Sequence, residues 1–243
     1  MKCIVSCEHA SNRVPPRFTH VFQGHEKVLA SHQAYDYGAA ELARSLARQI
    51  HAPVYLGAIS RLLIDLNRSP SNRKSLFTQY SRMLAQNERQ QLLQKYFQPY
   101  REKVENAVDE IIGKGKPVLH VSVHSFASVK RGKTRKADIG LLYDPARKGE
   151  KDICVFIVKL LKKKMVELRV RRNYPYLGKT DGLTSYLRRK YSEKFYAGIE
   201  IEINQAFLLK NDNRTNKAVY FLKEGISTIL QADMFSQLAN NKR

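Results

Sequence analysis

Short apolar runs with strand character alternate along this chain with longer stretches in which apolar residues return every three or four positions. Met1–Cys7 reads as a first buried strand. Ala39, Leu42, Ala43, Leu46, Ala47 and Ile50 mark one apolar face of a helix expected over residues 34–50. Strands are expected at Val54–Leu56 and at Arg61–Leu66. A long helical region is expected from Ser81 to Ile112, interrupted near Pro99, whose ring removes a donor and crowds the preceding turn. Val118–His124 and Ile139–Tyr143 read as strands. Ile153, Phe156, Ile157, Leu160 and Leu161 mark another helix, Ile199–Asn204 a buried strand, and Thr215–Leu230 a closing helix. Such alternation is the pattern of an α/β domain. With no internal repeat and no low-complexity linker, residues 1–243 are expected to form a single domain, 237–243 being a flexible tail.

The polar positions inside these strands carry the chemical signal. On a strand over 118–124, His120, Ser122 and His124 share one face while Leu119, Val121 and Val123 share the other. In the same way Glu200, Glu202 and Asn204 oppose a face of isoleucines. Carboxylates in so apolar a strand are costly to bury unless paired or functional. A general base is the functional reading; an exposed polar face on an edge strand is the structural one. Glu8-His9 follows the first strand directly, and open α/β sheets bind ligands just beyond the carboxyl ends of their strands. Two histidines at two strand ends, His9 and His124, suit zinc, which needs a third protein ligand and keeps a fourth position open in catalytic sites. Asp36 is the candidate, with a residue of the loop Glu8–Asn12 as the alternative. The structural reading of Asp36 is an acid in a first helical turn, complementing the macrodipole. Arg61 and Arg68, in the block Ser60–Arg68, offer guanidinium forks that match a carboxylate, although Arg61 and Asp65 can equally pair with each other.

Charge sharpens the question of substrate. Lys and Arg number 43 against 22 Asp and Glu, a formal net of +21, which favours anionic partners. The basic runs lie at 130–136, 162–164 and 169–172. They are scattered, without interleaved aromatic residues, so a solvated basic surface is the preferred reading and nucleic-acid binding the alternative. No apolar stretch approaches the ~18 residues of a membrane span. The opening residues are too short for the apolar core of a signal peptide, so a cytoplasmic protein is expected. Three cysteines form no disulfide framework or metal spacing, and Cys3 and Cys7 are expected in the core.

Taken in order, these segments resemble the N-formylglutamate amidohydrolase family. Glu8-His9-Ala10-Ser11-Asn12 with Arg13-Val14-Pro15 is similar to its opening motif, and Asp36-Tyr37-Gly38-Ala39 to the acidic start of its first helix. Ser60–Arg68 is similar to its central block, and His124-Ser125-Phe126, Asp138-Ile139-Gly140, Asn173-Tyr174-Pro175-Tyr176 and the Glu202 segment complete the series. The resemblance spans roughly Cys7 to Leu209. It implies a three-layer α/β/α fold with a central mixed sheet, zinc-exopeptidase-like, and zinc-dependent hydrolysis of N-formyl-L-glutamate to formate and glutamate, a histidine-degradation step. On this reading His9, Asp36 and His124 hold Zn²⁺, and Glu202 moves the proton. Arg61 meets the developing oxyanion, Asn67 and Arg68 hold the carboxylate of a small anionic N-acyl amino acid, and Tyr176 closes over the site. A peptidoglycan-type amidase or N-acyl amino acid deacylase on the same metal site is the nearer alternative. A basic nucleic-acid-binding protein that has lost the chemistry is the more distant one.

Overall fold

The computed structural model describes residues 1–232. Its strands are β1 (Lys2–Cys7), β2 (Val54–Leu56), β3 (Val118–Phe126), β4 (Val129–Lys130), β5 (Lys133–Thr134), β6 (Ile139–Leu142), β7 (Val170–Arg172) and β8 (Tyr196–Asn204). The helices are α1 (Ala39–Gln49), α2 (Arg73–Leu76), α3 (Gln86–Leu92), α4 (Gln98–Gly113), α5 (Lys148–Lys164), α6 (Leu183–Lys190), α7 (Gln205–Lys210) and α8 (Asn213–Gln231). Six strands form one sheet in the order β2-β1-β3-β8-β6-β7. The first four are mutually parallel, and β6 runs antiparallel to β8, so the sheet is mixed. Strands β4 and β5 make a separate hairpin. The flexible tail expected at 237–243 lies outside the described residues.

Period-two alternation sorts the sheet into two faces. Val5, Cys7, Leu119, Val121, Val123, Ile199, Ile201 and Ile203 point into a core built with the buried faces of α1, α5 and α8. All three cysteines are buried and free. Gly225 on α8 lets that helix settle against α5, since a Cβ there would meet Leu160 at 3.1 Å. Each leucine or isoleucine withdrawn from water in this way contributes about 1.5–3 kcal/mol. The other face carries a second apolar cluster, with Ile4, Val118 and Tyr196 from the strand starts packed under Val104 and Val108 of α4 and Leu183 and Leu187 of α6. Toward the strand ends this face turns polar: Ser6, Ser122, His124, Glu200 and Glu202 are all buried there. The result is the three-layer α/β/α architecture with a central mixed sheet.

Four local readings need correction. Residues 61–66 form a tight turn, not a strand: the Ser60 carbonyl accepts from the amides of Leu63 and Ile64, curling the chain. Leu63 and Ile64 consequently both enter the core, while Arg61 and Asp65 face the cleft. The first helix begins at Ala39 behind Gly38, which has φ of 72°, so Asp36 sits in the loop before the helix rather than in its first turn. Pro99 does not break the long helix. A π turn over Leu93–Phe97 runs straight into α4, and its wider winding just before the proline accommodates the ring and the missing N–H. Strand β8 is also no edge: it lies between β3 and β6, buried throughout.

Candidate metal centre

Strand ends and two loops bring the site together. His9 follows β1, and its carbonyl accepts from the Asp36 amide, tying the pre-helix loop over the end of that strand. His124 lies near the end of β3, in register with Glu202 on the neighbouring β8. Asp36 Oδ2 sits 2.8 Å from His124 Nδ1 and 3.3 Å from His9 Nδ1. His9, Asp36 and His124 can each offer a ligand atom within 4.8 Å of the others, and all three residues are buried.

The far nitrogen of each ring is held by a different carboxylate. His9 Nε2 lies 2.7 Å from Asp65 Oδ1, and His124 Nε2 lies 3.0 Å from Glu8 Oε2. A carboxylate only accepts, so Asp65 and Glu8 favour a proton on Nε2 of each ring and leave Nδ1, which faces Asp36, as the atom that would bind a cation in place of a proton. Ser122 Oγ donates to the same Glu8 oxygen at 2.7 Å and Tyr100 Oη to the other at 3.1 Å, fixing that carboxylate in place. Asp65 is fixed by the Asn67 amide and by Arg61, which bridges Asp65 and Asp36. Glu8 and Asp65 were not assigned these roles from sequence. The missed signal is Glu8 directly before His9, and Asp65 four residues after Arg61 in a turn mistaken for a strand.

The electrostatics follow from crowding ions where water is scarce. Burial alone would raise Asp36, Asp65 and Glu8, yet adjacent histidines, and Arg61 for Asp65, hold each well below the usual carboxylate range. Burial alone would lower His124, but hydrogen bonds from its ring to Asp36 and Glu8 raise it well above the ordinary histidine value. Glu202 stands apart. Burial, with Asp36 and Glu200 nearby, pushes it up to about 8 against the counter-pull of His124 and Arg61. Among the described residues, its Oε2 is buried without a hydrogen-bond partner.

A polar cleft of about 160 Å³ opens onto these groups, lined among others by His9, Asp36, His124 and Glu202. The remaining expected residues are on its wall. Arg68 donates to the carbonyls of Asn67 and Asp181, and Asn67 Oδ1 accepts from the Leu183 amide at the start of α6. Tyr176 stands at the rim, 39% exposed, its hydroxyl accepting from Lys130 and Arg135. Gly140 gives this rim its path: a Cβ there would lie 1.8 Å from the Tyr174 carbonyl, so only glycine lets the 174–176 segment cross β6 so closely. The basic run at 130–136 is not merely surface. Its hairpin, β4–β5, brings Lys130 into the cleft wall.

The three-layer fold with such a cleft at the strand ends is that of a hydrolase family. Residues 1–209 match the N-formylglutamate amidohydrolase family, and the chain belongs to it. Among solved structures it is similar to a gene product of Agrobacterium tumefaciens, at 27% identity and TM-score 0.77, over 94% of this chain and 91% of that one. It is also similar to the N-formylglutamate amidohydrolase of Ralstonia eutropha, at 16% identity and TM-score 0.66, over 97% and 94% of the two chains. No curated protein sequence matches it. Among the described residues, no helix is long and apolar enough to cross a membrane.

Proposed function

We propose that this amidohydrolase is a zinc enzyme that cleaves N-formyl-L-glutamate to formate and glutamate. One observation carries the reading. Two imidazole Nδ1 atoms and a carboxylate oxygen converge at the head of a polar cleft, while each ring's other nitrogen is held by its own carboxylate. That donor set fits zinc: nitrogen and oxygen ligands, three from protein, with outer carboxylates that orient the rings and raise their basicity. His9, Asp36 and His124 would hold the ion. Zinc in such a site polarises a carbonyl and lowers the pKa of water to about 7.

The protein's own groups divide the remaining work. Glu202, with an unengaged Oε2 in the cleft beside His124, is suited to accept a proton from water, as the ionised carboxylate, and deliver it to the leaving amine. Arg68 donates to carbonyls and to no carboxylate among the described residues, so its guanidinium can meet a substrate carboxylate, with Asn67 beside it. Arg61 is shared between Asp36 and Asp65, so its role is positional, holding both acids and presenting a partly screened charge to the developing oxyanion. Tyr176 closes the rim.

Elemental analysis of wild type beside His124→Ala, with formate release from N-formyl-L-glutamate, tests the reading. About one zinc per chain in the wild type, lost in the variant together with turnover, is expected. Wild-type protein that takes up no metal when zinc is supplied would sink it.

A further inference from the structure

The inner cleft is smaller than the ~300 Å³ lower bound of ordinary small-molecule pockets. It opens into a second cavity of about 900 Å³, with Asp36, Arg61, Arg68, Ser125, Lys130 and Tyr176 in both linings. That outer vestibule is close to the upper end of the same range, far larger than a single acylated amino acid requires. Its lining holds seven arginines and lysines against two carboxylates. Those two, Asp36 and Asp65, are already bound to Arg61 and the site histidines.

Arg68, Lys74, Arg82, Lys130, Arg131 and Arg135 therefore remain. Among the described residues, none of these six has a carboxylate within ion-pair distance. They come from separate parts of the chain: the turn after β2, the α2 region, and the hairpin segment over 129–135. Like charges gathered around one concavity repel each other, and a solvated surface would spread them. The arrangement is stabilised when an anion enters.

We propose that the vestibule is an outer subsite for an oligocarboxylate. The amide substrate would carry, beyond the group seated in the inner cleft, a chain of at least two further carboxylates, as in an N-acylated acidic peptide. This rests on the amidohydrolase reading above for its inner end only. A nucleic-acid strand fits less well. The one aromatic ring at the junction, Tyr176, already carries Lys130 and Arg135 against it, each 5.0 Å from its centre, so a base would have to compete with two cations to stack there. The vestibule also converges on a cleft too small to pass a polymer.

The experiment uses the zinc-loaded full chain, wild type and the double variant Lys74→Gln/Arg131→Gln, whose positions are outside the inner cleft. Substrates are N-formyl-Glu, N-formyl-Glu-Glu-Glu and the length-matched N-formyl-Glu-Gln-Gln. Calorimetric titration of unacylated Glu-Glu-Glu, with and without a competing octadeoxynucleotide, supplies a readout independent of turnover. Expected is a kcat/KM for the triglutamate about tenfold above both other substrates, a gap that closes with added salt and shrinks at least threefold in the double variant. N-formyl-Glu hydrolysis is unchanged in that variant. Triglutamate binding without turnover of any substrate would retain the subsite and remove the amidohydrolase assignment. Turnover of N-formyl-Glu with no preference for the triglutamate and no binding of it would do the reverse. Displacement of triglutamate by the oligonucleotide at lower concentration than triglutamate itself would overturn the oligocarboxylate class.

Discussion

Two clusters of buried charge in this molecule have been put to different ends. Around Glu150 and Arg188 every polar atom is used. Arg188 donates to both Glu150 oxygens at 3.0 Å and to the carbonyls of Gly178 and Gly198, and Glu150 also accepts from the amides of Asp144 and Gly198. That cluster ties α5, α6 and β8 together. Around His9, Asp36 and His124 the bonding is just as dense on the outer side of each ring, but Glu202 Oε2 has no partner and a cleft reaches the inner side. Burial of charge is common to both. What separates a site from a clamp is donor capacity left over at a place a ligand can reach.

The comparison breaks first at Glu202. If its carboxyl moves the proton, Glu202→Gln lowers kcat by about 10²–10⁴-fold. Zinc content stays at the wild-type value, and stability changes little because no hydrogen bond to Oε2 is lost. Steady-state kinetics beside elemental analysis checks this; wild-type turnover in the variant removes Glu202 from the chemistry.

Arg188→Met makes the opposite cut. It strands Glu150 at 1% exposure without its cation, which typically costs about 3–5 kcal/mol. Urea unfolding should show that loss, while kcat per folded molecule stays at the wild-type value. A variant that keeps its stability but loses turnover would mean that this clamp belongs to the site, and the distinction drawn above would fail.

The same contrast explains how much was legible in the sequence. Strand faces were readable because period two is strict: His120, Ser122 and His124 had to lie together, as did Glu200 and Glu202. The helices α1, α5 and α8 were readable from their apolar spacing. Ser60–Arg68 was not, because a short apolar run such as Leu62-Leu63-Ile64 fits a buried strand and a tight turn alike. Glu8 and Asp65 escaped assignment because an outer partner is defined by where a ring's second nitrogen points, and no one-dimensional spacing encodes that. The vestibule was hidden for a related reason: six cations spread from Arg68 to Arg135 meet only when the fold brings the β4–β5 hairpin across from α2. Glu150 and Arg188 gave no signal at all, each being one charge among several on an amphipathic helix.

The smallest predicted effect tests the contrast within one strand. His120 and His124 share a face of β3, four residues apart, yet His120 is closed in like the Glu150 cluster. Its Nε2 and Nδ1 lie 2.7 Å from the hydroxyls of Ser6 and Tyr196, and the side chain is fully buried. Burial lowers its pKa to about 4, with Arg188, Arg101 and His124 acting in the same direction and Glu8 opposing. The unfolded chain therefore binds a proton near pH 6.5 that the folded chain refuses until about 4. The neutral ring's contribution to stability is complete above 6.5 and is lost as pH falls from there toward 4. Between pH 7 and pH 5 the difference is about 2 kcal/mol. His120→Gln keeps a donor and an acceptor but cannot titrate, so wild type should lose about that much more stability than the variant over this interval in urea unfolding. Parallel pH profiles would mean that His120 takes up its proton in the folded state as readily as in the unfolded one, and that enclosure by two hydroxyls is not what sets it apart from His124.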